Sequence, residues 1–218
     1  MRDILDILIS PNRLFARLSI KPEWFLPFVA ASFAQFMVSW MKSCGAKFPS
    51  IEPWSILWPA ISAPIMTLSL WSALSLFLSL ASYLLNSKLT AIYKKIFSVV
   101  AYCGVIYLLG ETANFLLIRN EVIGETPYPI PGRFPTGLDL LMLGRQQDLP
   151  LSIVLHSLNP ATIWYFVILS LGLSRVAGLS RREAVSVSIA TWACGVGLVA
   201  GFALFAGDTS IHLRFGAK

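Results

Sequence analysis

The chain is poor in charge, and poorer still in the residues that build metal sites or disulfide frameworks. Only 13% of its 218 residues are charged, against about 25% in soluble domains. That shortage alone excludes an ordinary soluble fold. Two histidines (His156, His212) and three cysteines (Cys44, Cys103, Cys194) supply neither zinc spacing nor an even disulfide set. No metal and no cofactor are expected. There is no His-Glu-x-x-His, no Gly-x-Ser-x-Gly and no pair of aspartates within the apolar runs, so no enzyme is expected either. An early apolar core with a small-residue cleavage site is also missing, and the N-terminus is expected to be retained. What the chain does have is 56% hydrophobic residues and a mean hydropathy of +0.70. At about 20 residues per crossing, that suffices for about five membrane spans.

Residues 1–22 are expected to form a cytoplasmic, interfacial amphipathic segment. Ile4, Leu5, Leu8 and Ile9 share a helical face, Pro11 breaks the run, and Ser10 can cap a second short helix. Leu14, Phe15 and Leu18 form the apolar side of that second helix, with Arg13 and Arg17 as its basic residues. Such a segment suits the membrane surface, with packing beneath the bundle as the alternative. Spans are expected at about 24–41, 65–85, 96–118, 161–176 and 184–206. Pro59 and Pro64 lie in the first third of the long run from Trp54, which predicts an interfacial or kinked segment before the second span. Residues 120–159 form a long loop whose prolines 127, 129, 131 and 135 exclude a continuous helix. The two apolar stretches within it, LDLLMLG and LPLSIVLHSL, are too short to span and are expected to roof the bundle. Asn159 with Pro160, and Ser180 with Glu183, predict the starts of the last two helices. The residues after Ala206 read as a short polar tail.

The net charge of +6 does not point to nucleic acid, because the basic residues sit between apolar runs rather than in a patch. With the N-terminus in the cytoplasm, the cytoplasmic segments hold Arg2, Arg13, Arg17, Lys21, Lys88, Lys94, Lys95, Arg175, Arg181 and Arg182, a majority of the 17 Lys and Arg. The positive-inside rule therefore places the N-terminus inside and the C-terminus outside.

The third span is the one around which the chain is organised. Gly104, Tyr107, Glu111 and Asn114 share one helical face there, and Glu111 is the single formal charge in 96–118. A carboxylate in hydrocarbon is costly, so that face should meet protein. Gln35 is the polar residue inside the first span. Ser72, Ser75, Ser79 and Ser82 form a stripe on the second, read as helix packing with a pathway lining as the alternative. Ala193, Gly197 and Gly201 repeat every four residues on the fifth, a seam expected to pack within the bundle or else between subunits.

Three stretches resemble the Yip domain, a family named for membrane proteins that interact with Ypt/Rab GTPases. They are SPNRLFARLSIKPEWFLPFV, LTAIYKKIFSVVAYCGVIYLLG and NPATIWYFVILSLGLSRVAGLSRREAVSVSIATW. Tyr102 falls at the family's recurring tyrosine, and Ile163, Trp164, Gly172 and Gly178-Leu179-Ser180 match the bacterial branch. The resemblance implies an all-α, five-helix transmembrane domain over 23–218, preceded by the amphipathic segment. It also implies a non-enzymatic scaffold, membrane organiser or partner adaptor in a bacterial inner membrane. Gly104-Val105 departs from the small-residue/Pro step that follows the tyrosine in the family. The Asp-Leu-Tyr-Gly-Pro segment of the eukaryotic branch is not present, and Rab binding is not carried over. Expected partners are the bilayer and another membrane protein or a second copy, with no nucleic acid. The alternative function is a permeation or transport component using Glu111, Asn114, Gln35 and Tyr107.

Overall fold

The computed structural model describes residues 2–43, 53–85, 92–122, 138, 154–155 and 157–215, with side chains over 6–39, 57–85, 93–110, 112–113, 138, 154–155 and 157–201. The described residues form seven helices, named here α1 (Arg2–Ile9), α2 (Pro11–Ile20), α3 (Phe25–Ser43), α4 (Pro53–Leu85), α5 (Ile92–Val122), α6 (Pro160–Val176) and α7 (Arg181–Phe215). There is no strand among them. Three stretches are long and apolar enough to cross a membrane, Leu57–Leu85, Tyr93–Gly110 and Arg181–Gly201; Phe25–Ser39 and Pro160–Val176 are shorter apolar helices.

Helix α5 is the centre. It packs against α3, α4 and α6 and also meets α1 and α2. Every residue from Ile96 to Ile106 is buried. Of the apolar window in α5, 61% is buried inside the protein, against 22% for those in α4 and α7. A helix apolar all round is the form that suits this position. The outer helices keep broad apolar faces exposed, as lipid-facing helices do: Leu70, Leu76, Leu84, Leu198 and Val199 are all uncovered.

Local sequence explains most helix boundaries. Pro160 opens α6 at the first-turn position, and the Asn159 Oδ1 accepts the Thr162 N–H at 2.8 Å. Asn159 is buried, so Asn159→Ala is expected to cost about 1 kcal/mol in thermal unfolding of the solubilised protein. Helix α6 ends at Ala177, and Gly178 follows at φ +67°, a left-handed turn that glycine takes without strain. The predicted capping box then starts α7. The Ser180 N–H donates to Glu183 Oε2 at 2.8 Å, and the Glu183 N–H donates to the Ser180 hydroxyl at 3.3 Å.

Four expectations are corrected. Pro59 and Pro64 do not set off a separate segment, since α4 runs unbroken through both for 33 residues, about 50 Å. The supposed polar tail is helical to Phe215. Ser10 stands at the N-cap of α2 but makes no side-chain cap; its carbonyl accepts the Arg13 and Leu14 N–H groups instead. Most important, α2 does not leave its apolar face for the membrane surface, whereas Leu8 and Ile9 on the expected apolar face of α1 are exposed. Ile7, Leu14, Phe15 and Leu18 are buried in the common core, with α2 packed chiefly on α6. The 120–159 loop and its two apolar stretches lie almost wholly outside the described residues.

Candidate functional site

The site is built where α2 lies across α5 and α6. The Leu14, Phe15 and Leu18 face of α2 reaches inward because these positions share one side of the helix. Phe15 is fully buried. It fits because Gly172 of α6 has no side chain: a Cβ built there would meet Val99 Cγ1 of α5, with the Phe15 ring atoms 3.1 Å away. Val99 of α5 and the Phe15 ring of α2 thus share the slot left by one glycine.

Beside this wedge is a recess of about 350 Å³ lined by Leu14, Arg17, Leu18, Ile20, Lys21, Glu23 and Tyr102. Tyr102 is buried against it and Ile20 stands exposed on its rim. The Arg17 guanidinium lies 3.1 Å from Asp6 Oδ2, tying α1 to α2, and Lys21 Nζ lies 2.7 Å from Glu23 Oε1. Both pairs are exposed, so each supports docking weakly. The hydrogen bond to Glu23, helped by its negative charge, raises the Lys21 pKa. Lys21 is therefore a full cation at neutral pH, and this small contribution disappears only as pH rises through the raised value. Apolar walls and a rim of balanced charge suit the docking of another molecule by contact and ion pairing.

The sequence-selected residues are scattered through the bundle rather than gathered in this recess. Gln35 is half-buried on α3. Tyr107 is partly exposed on α5, its ring 6.3 Å from that of Tyr165 on α6. Glu111 and Asn114 belong to α5, but their side chains lie outside the described residues, as do those of His156 and His212. On α4, Ser75 and Ser82 are fully buried while Ser72 and Ser79 are half-buried. The Ser79 hydroxyl donates to the Ser75 carbonyl at 2.6 Å; those of Ser75 and Ser82 have no partner among the described residues.

The glycine seam is placed differently from the expectation that it packs within the bundle. Ala193, Gly197 and Gly201 are exposed on α7, and a Cβ on either glycine meets nothing within 4 Å among the described residues. Gly197→Leu and Gly201→Leu should therefore shift thermal unfolding no more than Val199→Leu does, all within about 0.5 kcal/mol. Close approach occurs instead at isolated glycines. A Cβ on Gly104 would meet the Trp71 ring at 2.5 Å, and one on Gly110 would meet the Cβ of Ala161. The spacing search missed these contacts because each is a single small residue facing a large or small partner on another helix. Gly172 and Gly104 were visible only as family positions or as part of a mixed polar face.

The Yip1 domain model matches the chain over residues 5–202, from α1 through most of α7. No curated protein and no solved structure matches it.

Proposed function

The chain belongs to the Yip1 domain family, and on that premise we propose that it is a non-enzymatic integral membrane protein acting as a partner adaptor. The observation that supports this reading most is the docking of α2. Its apolar face is committed to α5 and α6, while Asn12 and Arg13 stay exposed away from it and Arg17 stands exposed at the recess, paired with Asp6. A basic helix fixed to a membrane bundle is a preorganised surface, so a partner does not have to order it on binding. Co-purification in mild detergent tests this. A protein partner should be retained at fixed ratio by the wild type and depleted by Arg13→Glu, which leaves the buried face untouched. Elution of the wild type without any such partner contradicts the proposal.

The same reading includes five crossings, formed by α3 to α7, in a bacterial inner membrane with the N-terminus cytoplasmic and the C-terminus external. The distribution of Lys and Arg supports it. In intact cells and a background lacking native cysteines, an impermeant thiol reagent should label Gly132→Cys and spare Lys94→Cys. The reverse pattern overturns the orientation.

A further inference from the structure

A second concavity lies away from the recess under α2. It is a groove of about 420 Å³ lined by Trp24, Leu68, Ser72, Tyr93, Lys94 and Phe97. Its volume is within the range of about 300–1,000 Å³ typical of small-molecule sites. The aromatic wall is fixed by its own contacts: the Trp24 ring stands edge-on to Phe97 at 5.4 Å, and Tyr93 lies 6.0 Å from the same ring. We propose that this groove holds one anionic phospholipid, its phosphate on Lys94 and an acyl chain along Trp24, Leu68 and Phe97.

Three observations carry the assignment. First, the groove's lining is mostly apolar and carries one cation, Lys94, with no acid among its lining residues. Lys94 is exposed and has no carboxylate within ion-pair distance among the described residues, unlike Lys21, which is held by Glu23. The half-buried Ser72 hydroxyl lines the same groove and can donate to a phosphate or ester oxygen. Second, Lys94 and Lys95 stand in the first turn of α5, which contains no acidic residue. The helix dipole opposes cations at that end and favours an anion, so charge and dipole both select a negative headgroup. Helix α7 meets the same problem internally, with Glu183 in the first turn beside Arg181 and Arg182. Third, the groove's walls belong to Leu57–Leu85 and Tyr93–Gly110, two of the stretches long and apolar enough to cross a membrane. Helices of that kind stand against lipid, so the bilayer is the proposed source of the ligand.

Native mass spectrometry of the full chain in detergent tests this, with phosphatidylglycerol and phosphatidylcholine added at equal concentration. The wild type should retain phosphatidylglycerol over phosphatidylcholine by about fivefold, the contribution of one lysine near an anionic headgroup. Lys94→Gln, at an exposed position that leaves folding intact, should bring the two lipids to near parity. Lys21→Gln should keep the wild-type ratio. Equal retention by the wild type overturns the proposal. So does a preference that survives Lys94→Gln, or one that Lys21→Gln removes to the same extent.

Discussion

Phe15→Ala is expected to destabilise the solubilised protein by about 3–5 kcal/mol and to release the N-terminal helices from the bundle. The side chain is fully buried between Gly172 and Val99, with Leu14 and Leu18 on the same face. Removing it leaves a slot that α6 cannot close, because the adjoining α5 stretch is itself buried on all sides. Thermal unfolding reports the loss of stability. Hydrogen exchange over α2 should rise in the variant, while exchange in the Ile96–Ile106 stretch changes less. Phe15→Leu keeps most of the volume and should cost under about 1.5 kcal/mol. Asn12→Ala, on the exposed side, should have no resolved effect.

The second large effect is expected at Gly104. A Cβ there would lie 2.5 Å from Trp71 Cζ2 and 2.7 Å from Cε2 and Nε1. Trp71 is buried and cannot simply swing aside, because its ring packs edge-on to Phe28 at 6.3 Å. Gly104→Leu should therefore force α4 away from α5 and cost about 1–3 kcal/mol or more. Adding Trp71→Leu to that variant should recover part of the loss, since it removes the ring that the new side chain meets. If Gly104→Leu unfolds with Gly197→Leu, at the wild-type temperature, the α4–α5 contact described here does not exist.

Signals that act within a few residues were legible in the sequence. Asn159-Pro160 and Ser180-x-x-Glu183 specify helix starts by hydrogen bonds that close over three residues, and both form as the spacing predicts. The sequence singled out α5 for the face of Gly104, Tyr107, Glu111 and Asn114, but the burial is centred on Ile96–Ile106, and Tyr107 on that face is exposed.

Features that depend on a distant partner were not legible. The apolar face of α2 has the same pattern whether lipid or protein covers it, and the deciding residue is Gly172, near the far end of the chain. Pro59 and Pro64 suggested a break because each removes a backbone donor. Within a long apolar helix, neighbouring helices can satisfy the freed groups, and α4 continues through both. The four-residue repeat of Ala193, Gly197 and Gly201 records that a helix could approach closely, not that one does.

The central claim is that α1 and α2 are part of the bundle rather than a segment resting on lipid, and a double-mutant cycle between Phe15 and Gly172 tests it most directly. Gly172→Ala in the wild type forces a methyl group toward Val99 and the Phe15 ring and should be destabilising. In the Phe15→Ala background Val99 still faces the new methyl, but the space the ring has left lets the two move apart. The two effects should therefore fail to add, with a coupling of about 1 kcal/mol or more in thermal or denaturant unfolding. Additivity within about 0.3 kcal/mol would mean that Phe15 and Gly172 do not touch, and the docked N-terminal platform would be contradicted.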